Sequence, residues 1–267
     1  MPFVVSNGRP IYYERHGQGP AVLFCHGAGS NAATWWQQLP AFGARHTCIT
    51  VDIRCFGRSA APLTEFAWPN LVQDIVNILD QEAVERVAVV GQSLGGMIGL
   101  RLALVHSHRV AAFVACDTSL SIDHPGMLER IRQRQITHKA VTIEQRSLGA
   151  WFLRHEPAKA ALYAQINHFN PSAHSLSGAQ WGEALAALMR PEVLLPMAAM
   201  RNVRCPTLFV VGSEDPIVPV ASTYEVAELV PGSEVSAIQD AGHSAYFEKP
   251  DEFNKAVLDF IARRIHW

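Results

Sequence analysis

Residues 91–96 read Gly91-Gln92-Ser93-Leu94-Gly95-Gly96, and they give the strongest indication of the fold. They follow an apolar, β-branched run at residues 86–90 and open a stretch of helix formers. A serine between small residues at a strand-to-helix turn is typical of a nucleophile elbow, which exposes the serine at the end of a sheet. The bare pattern also fits a glycine-rich turn without chemistry. The assignment of Ser93 as a nucleophile therefore depends on partners elsewhere in the chain.

Outward from this turn, strand-like and helix-like stretches alternate. Short apolar runs of the kind buried on both faces of a sheet occur at residues 21–25, 47–51, 87–90 and 111–115. Helix-like stretches between them cover residues 35–43, 71–81 and 94–106. This alternation predicts βαβ units and a mostly parallel sheet flanked by helices. Runs at residues 3–6 and 11–14 flank Asn7-Gly8, which predicts an antiparallel hairpin at the edge.

The alternation stops after residue 120 and resumes after residue 200. Residues 121–200 are rich in helix formers with interspersed aromatic residues, whereas strand-like runs return at 206–211 and 235–239, before an amphipathic helix at 252–265. We therefore expect an α/β core of residues 1–120 and 201–267, with a helical cap of residues 121–200 inserted. Over the carboxyl ends of the strands, such a cap would enclose an apolar pocket.

A serine nucleophile needs a base within hydrogen-bond reach, because its hydroxyl is weakly nucleophilic at its free pKa. The chain has twelve histidines. His243 stands out because it follows the strand-like run 235–239 in a loop, as a residue facing the end of a sheet would. The sequence therefore predicts His243 as the base.

The base in turn needs an acid that fixes its tautomer, placed between the serine and the histidine along the chain. Three carboxylates fit this requirement. Asp215 follows the strand-like run 206–211 and precedes a proline, Glu214 is its neighbour, and Asp117 ends another run.

Two backbone N–H groups are candidates to bind a developing oxyanion. Leu94 follows the serine at a helix N-terminus, where unpaired N–H groups favour negative charge. The run His26-Gly27-Ala28-Gly29-Ser30 comes directly after the strand-like run 21–25, where a second donor is expected. We assign the two donors to Ala28 and Leu94.

Together these segments resemble the α/β-hydrolase superfamily. The motifs are HGAGS (26–30), DIRCFGRS (52–59), GQSLGG (91–96), GSEDPIVP (212–219) and GHSAYFEKP (242–250), in the family's order. The resemblance implies an α/β-hydrolase fold and favours Asp215 as the acid. Within the superfamily the chain is similar to small bacterial carboxylesterases and 3-oxoadipate enol-lactonases, which implies a small-molecule ester or lactone substrate and no metal or organic cofactor.

One residue departs from the family pattern. The second motif usually reads D-x-R-G-x-G-x-S, and here Cys55 replaces its first glycine. If that glycine uses a positive φ, Cys55 would be strained. The preferred interpretation is an ordinary conformation that cysteine also accepts.

The composition of the chain limits the partners that we expect for it and the cellular compartment in which we expect it. A formal net charge of -2 gives no positive field for nucleic acid. Neither a signal peptide nor an apolar stretch of about 18 residues is present, so we expect no membrane partner and a cytoplasmic protein. The five cysteines have no C-x-x-C pair, so no metal site is expected. Apolar cap residues suit either a pocket or a subunit contact, so a homo-oligomer is left open.

Fold alone does not decide function, and three alternatives stay open. A C–C hydrolase of vinylogous diketones would use a similar triad, and cofactor-free perhydrolysis is also compatible with the resemblance. A non-catalytic ligand-binding member of the fold is the third alternative. A serine rather than an aspartate at the elbow argues against haloalkane dehalogenases and epoxide hydrolases.

Overall fold

A computed structural model describes residues 3–137, 142–169 and 178–265 of the chain. The described residues form one eight-stranded sheet in the order β1-β2-β4-β3-β5-β6-β7-β8. The strands are β1 Phe3–Ser6, β2 Arg9–His16, β3 Ala21–Cys25, β4 Thr47–Val51, β5 Val87–Gln92, β6 Val110–Cys116, β7 Thr207–Gly212 and β8 Glu234–Ile238. All of the predicted strands are present, so the predicted mostly parallel α/β sheet is confirmed.

The sheet is antiparallel at one edge and parallel across its centre. β1 pairs with β2, and β2 with β4, in antiparallel register, whereas the pairs from β4 to β8 are parallel. Asn7 and Gly8 both have positive φ values, 48° and 73°, as a two-residue hairpin turn with the twist of its strands requires. β3 to β6 are buried along their whole length, in keeping with strands covered by helices on both faces.

The strand order changes direction at β3, which lies between β4 and β5. The chain leaves β3 toward one side of the sheet and leaves β5 toward the other, which is the point where open α/β sheets bind ligands. Cys25, the last residue of β3, is in register with Gly91 of β5. The loops that follow these two strands, HGAGS and the Ser93 turn, are therefore neighbours.

The flanking helices are α1 Leu39–Gly43, α2 Trp68–Gln81, α3 Leu94–Val105, α9 Val220–Ala227, α10 Ala245–Glu248 and α11 Pro250–Arg264. The predicted helix at residues 35–43 is wrong in its first half, where a short 3₁₀ turn, Ala32–Trp35, precedes α1. Pro40 in the first turn of α1 is the reason, because proline lacks an N–H and suits a helix start but not a helix interior.

Between β6 and β7 the described residues contain α4 Pro125–Thr137, α5 Ile143–Ser147, α6 Ala150–His155, α7 Pro157–His168 and α8 Gly178–Ala187. Part of the segment predicted as a cap, at residues 138–141 and 170–177, lies outside the described residues. The two ends of the segment meet where Ile122 and Leu195 form an isolated parallel bridge. Throughout the described ranges, none of the helices is both long and apolar enough to span a bilayer.

Candidate active site

Ser93 lies at a sharp turn between β5 and α3. Its backbone has φ 50° and ψ −111°, an unusual conformation for a residue other than glycine, and it places the serine at the N-terminus of α3. A Cβ on Gly91 would lie 2.4 Å from the Gly95 carbonyl oxygen, and one on Gly95 would lie 2.1 Å from that of Cys25. The two glycines therefore allow a turn that any side chain would block, as the sequence predicts.

His243 lies in the loop after β8 and contacts a carboxylate from the loop after β7. Its Nδ1 is 2.9 Å from Asp215 Oδ2 and 3.2 Å from Asp215 Oδ1. Asp215 Oδ1 also accepts hydrogen bonds from Ile217 N at 2.7 Å and Val218 N at 2.9 Å. A carboxylate oxygen accepts hydrogen bonds, so this contact favours the tautomer with the proton on Nδ1, which leaves a lone pair on Nε2.

The two competing acids have other contacts. Glu214 Oε2 accepts a hydrogen bond from Trp151 N at 2.8 Å. Asp117 Oδ1 accepts from Gly212 N at 2.9 Å, and its Oδ2 accepts from Ala245 N at 3.0 Å. Of the three candidate acids, Asp215 is the one whose carboxylate holds the imidazole of His243.

Asp117 nevertheless supports the arrangement, because it joins the end of β7, just before the Asp215 loop, to the start of α10, just after His243. It is fully buried, and burial, followed by the nearby Asp215 charge, raises the pKa of its carboxyl to about 7. The sequence offered Asp117 only as an alternative acid. Its hydrogen bonds to a strand end and a helix start that are distant in the chain could not be predicted from spacing.

The HGAGS loop lies beside the serine turn, held there by His26. The His26 carbonyl accepts a hydrogen bond from Gly95 N at 3.1 Å, and its ring Nε2 accepts one from Ile53 N at 3.0 Å. Ring Nδ1 lies 2.7 Å from Gly27 O, which can only accept a hydrogen bond. The ring is therefore the neutral tautomer with its proton on Nδ1. Burial lowers the pKa of His26 to about 4, so this histidine stays neutral. Its hydrogen bonds connect the HGAGS loop to Ile53 and to Gly95.

Ala28 and Ser93 line the same cavities, and Leu94 lines one of them. Neither Ala28 N nor Leu94 N donates a hydrogen bond to any acceptor among the described residues. Two N–H groups beside a serine can stabilise the negative oxygen of a tetrahedral intermediate. The structure thus brings all five residues predicted for the site to one place.

The main chain of His243 is held on both sides. Its N–H donates to Ser147 O at 2.7 Å, and its carbonyl accepts from the Gln92 side chain at 2.7 Å. Gln92 directly precedes Ser93, so it ties the histidine loop to the elbow. The sequence did not predict these contacts, because Gln92 appears there only as a polar residue within the elbow pattern.

Two chambers meet at Ser93. One, of about 330 Å³, is mainly apolar, and the other, of about 160 Å³, is mainly polar. Both are lined by Ala28, Ser93, Arg146, Ile217 and His243. The larger chamber adds Leu94, Met97, Ser119, Ile131, Leu185, Leu188, Met189 and Val218; the smaller adds Gly27, Ser30, Gln92, Ile143, Ser147, Tyr163 and Asn167. The spaces on the two sides of Ser93 therefore differ in polarity.

Cys55 corrects one expectation from the sequence. Its φ is +72°, in the left-handed region, so the ordinary conformation preferred above is wrong and the strained alternative holds. Its Sγ lies 3.5 Å from Ala61 O, and burial raises the pKa of the thiol to about 12. Cys55 is therefore a buried, unreactive residue of the DIRCFGRS loop.

The groups brought together at Ser93 are side chains and backbone N–H groups of the loops described above. Among the described residues, no three His, Cys, Asp or Glu side chains lie close enough together to hold a metal ion. A serine, an imidazole and two N–H groups are, in general, groups that can attack a carbonyl, accept a proton and stabilise an oxyanion.

Comparison with known proteins gives the family. Residues 20–250 match the model of a family described as alpha/beta hydrolase fold. The chain belongs to this family. It is a hydrolase of the α/β fold, and the resemblance inferred from its motifs is confirmed.

Individual relatives of this α/β hydrolase cover nearly its whole length. A putative carbamate hydrolase RutD from Variovorax paradoxus is 30% identical over 95% of this chain and 97% of its own. A 3-oxoadipate enol-lactonase 2 from Acinetobacter baylyi is 26% identical over 95% and 93%. A solved structure titled "Est816 as an N-Acyl homoserine lactone degrading enzyme" has a TM-score of 0.82 and 28% identity, over 97% of this chain and 100% of its own.

Proposed function

We propose that this α/β hydrolase cleaves a carboxylic ester or lactone through an acyl-enzyme intermediate on Ser93. The observation that carries the proposal is the buried His243–Asp215 contact at 2.9 Å beside a serine in a strained turn. Buried side chains held this way are arranged in advance, so little reorganisation is needed when charge develops. The substrate is a small molecule, and its apolar part occupies the 330 Å³ chamber.

In the first half-reaction Ser93 Oγ attacks the carbonyl carbon while His243 Nε2 takes the hydroxyl proton. Asp215 holds Nδ1 and stabilises the imidazolium that forms. The N–H groups of Ala28 and Leu94 donate to the oxyanion, and His243 then gives its proton to the leaving oxygen. In the second half-reaction His243 activates water, which attacks the acyl-enzyme and releases the acid.

The proposal includes the domain organisation. Residues 1–120 and 201–267 would form the catalytic core, with residues 121–200 as a cap. Support comes from α5, which follows β6 in the chain, because Ile143 and Arg146 of that helix line the chambers beside Ser93. Residues of α8, such as Leu185, line the apolar chamber. The cap would therefore supply much of the substrate-facing wall.

Steady-state hydrolysis of p-nitrophenyl esters of graded acyl length tests this function, with enol-lactone and aryl carbamate assays in parallel. The carbamate is included because a 30% identical relative is named as a putative carbamate hydrolase. We expect turnover in the wild type and loss of nearly all of it in Ser93→Ala. Ester and lactone rates no higher than those of Ser93→Ala would refute the proposal, and C–C hydrolysis or ligand binding would then replace it.

A further inference from the structure

Glu248 is a buried carboxylate whose partners are all backbone N–H groups. It accepts from Gly149 N at 2.8 Å, from Gly242 N at 2.9 Å and from Ser244 N at 3.2 Å. Gly242 and Ser244 are the two neighbours of His243 in the chain, whereas Gly149 precedes α6. One side chain therefore binds both flanks of the histidine and a segment nearly a hundred residues away.

The segment on the other side of this contact is residues 147–149, which comprises the last residue of α5 and the two residues that connect it to α6. Besides the Gly149 bond, its Ser147 carbonyl accepts the N–H of His243 at 2.7 Å. A Cβ on Gly242 would lie 2.3 Å from Gly149 N, and one on Gly149 would lie 2.8 Å from Gly242 N. The two backbones thus touch directly, with no room for a side chain between them.

The same segment also forms part of the substrate wall. Ser147 lines the polar chamber, together with Ile143 and Arg146 of the same helix α5. A displacement of this wall would therefore pull on the main chain of His243 through Ser147 and through Glu248.

We propose that Glu248 is a positioning residue, which fixes the imidazole of His243 by joining its loop to the substrate-facing segment 147–149. The inference rests on the proposed function, because it assigns His243 the role of base. Glu248 acts on the reaction only through the backbone around His243.

A carboxylate suits this role because all three partners are donors. In Glu248→Gln the amide oxygen can replace only one carboxylate oxygen, and the NH₂ group would face a backbone N–H that needs an acceptor. Burial raises the pKa of the Glu248 carboxyl to about 8. Assays at about pH 9 therefore compare the ionised carboxylate with the neutral amide.

Glu214 provides a matched control. Its carboxylate accepts from Trp151 N at 2.8 Å, so it holds the same part of the chain, two residues beyond Gly149. Within the described residues, no N–H of the segment 242–244 donates to it. Glu214→Gln therefore removes the same charge near the same segment and leaves the flanks of His243 untouched.

The test measures kcat and KM with the best p-nitrophenyl ester for wild type, Glu248→Gln and Glu214→Gln. We expect kcat to fall on the order of 10²-fold in Glu248→Gln, because small misplacement of a reacting group costs about that much. KM should change little, and Glu214→Gln should keep a kcat close to that of the wild type. An equal fall in kcat in both variants, or no fall in Glu248→Gln, would overturn the proposal.

Amide hydrogen exchange of the wild-type protein provides a second measurement that needs no variant. The N–H groups of Gly149, Gly242 and Ser244 share one acceptor, so we expect segments 147–149 and 242–244 to exchange at similar rates. Much faster exchange of 147–149 would contradict the coupling.

If Ser93→Ala keeps its activity, the proposed function itself fails; if Ser93→Ala is inactive and Glu248→Gln matches the wild type, only the role of Glu248 fails.

Discussion

Replacing Asp215 by asparagine should invert the tautomer of His243. Asp215 Oδ1 accepts two backbone N–H groups at 2.7 and 2.9 Å, from Ile217 and Val218. These donors fix the orientation of an asparagine amide, because its oxygen must face them and its NH₂ group must then face His243. The imidazole can meet an N–H only with an unprotonated Nδ1, which moves the proton to Nε2.

A proton on Nε2 leaves no lone pair to accept the serine proton. Such an inversion lowers kcat by about 10⁴-fold in a triad of this kind. That loss corresponds to about 5.4 kcal/mol in the activation free energy, at about 1.36 kcal/mol for each tenfold change. Substrate binding should change little, because the side chain of Asp215 is not among the groups that line either chamber.

The assay is steady-state hydrolysis of the best p-nitrophenyl ester, with near-ultraviolet circular dichroism to check the fold. Glu214→Gln is the control, because it changes the neighbouring carboxylate that holds Trp151 N rather than the imidazole. A kcat of Asp215→Asn within about tenfold of the wild type would refute the assigned tautomer and the role of Asp215.

Three further predictions concern the chamber, the elbow and a buried acid. Leu185→Trp should fill the apolar chamber and lower kcat/KM for long acyl chains but not for acetyl esters. The loss in kcat/KM should be about fourfold for each methylene group of the acyl chain that is excluded, since burial of one methylene contributes about 0.8 kcal/mol. An equal loss in kcat/KM with acetyl esters would contradict this prediction. Gly95→Ala should destabilise the fold by about 1–3 kcal/mol in urea unfolding, because its Cβ would meet a backbone carbonyl that cannot rotate away. Gly182→Ala, in a helix with nothing within 4 Å, is its control and should not destabilise the fold. The pKa of Asp117, raised from 3.8 to about 7, means that the native state keeps a proton which the unfolded state loses. This contribution to stability is complete below pH 3.8 and is lost as the pH rises to about 7. In urea unfolding, the free energy of unfolding of Asp117→Asn should therefore rise relative to that of the wild type as the pH increases across this range. A difference between the two proteins that does not change with pH would show that the pKa is not raised.

The fold and the reacting groups could be predicted because each depends on a local pattern. Short apolar runs place β3 to β6, and small residues around Ser93 permit the elbow without any information from distant parts of the chain. Asp215 and His243 follow strands that end at the same edge of the sheet, so their position along the chain already brings them together. The error at residues 35–43 has a local cause as well, since Pro40 marks a helix start.

The supporting contacts could not be predicted, because they join residues that are far apart in sequence. Glu248 is four residues from Ser244 but almost a hundred from Gly149, and only the folded chain brings their backbones to one carboxylate. Asp117 likewise accepts hydrogen bonds from the last residue of β7 and the first residue of α10. Cys55 was misjudged for a different reason: a residue type alone does not reveal its φ, and the loop around it imposes a left-handed conformation.

The most direct test of the central claim is covalent labelling with a p-nitrophenyl phosphonate, which mimics the tetrahedral state of acyl transfer. Its reaction requires a serine activated by a base and an oxyanion site, and it stops at a stable adduct. We predict release of about one equivalent of p-nitrophenolate per chain. Peptide mass mapping should then place the phosphonyl group on Ser93, and Ser93→Ala should release none. An adduct on another residue, or ester turnover by a protein that the phosphonate does not label, would contradict it.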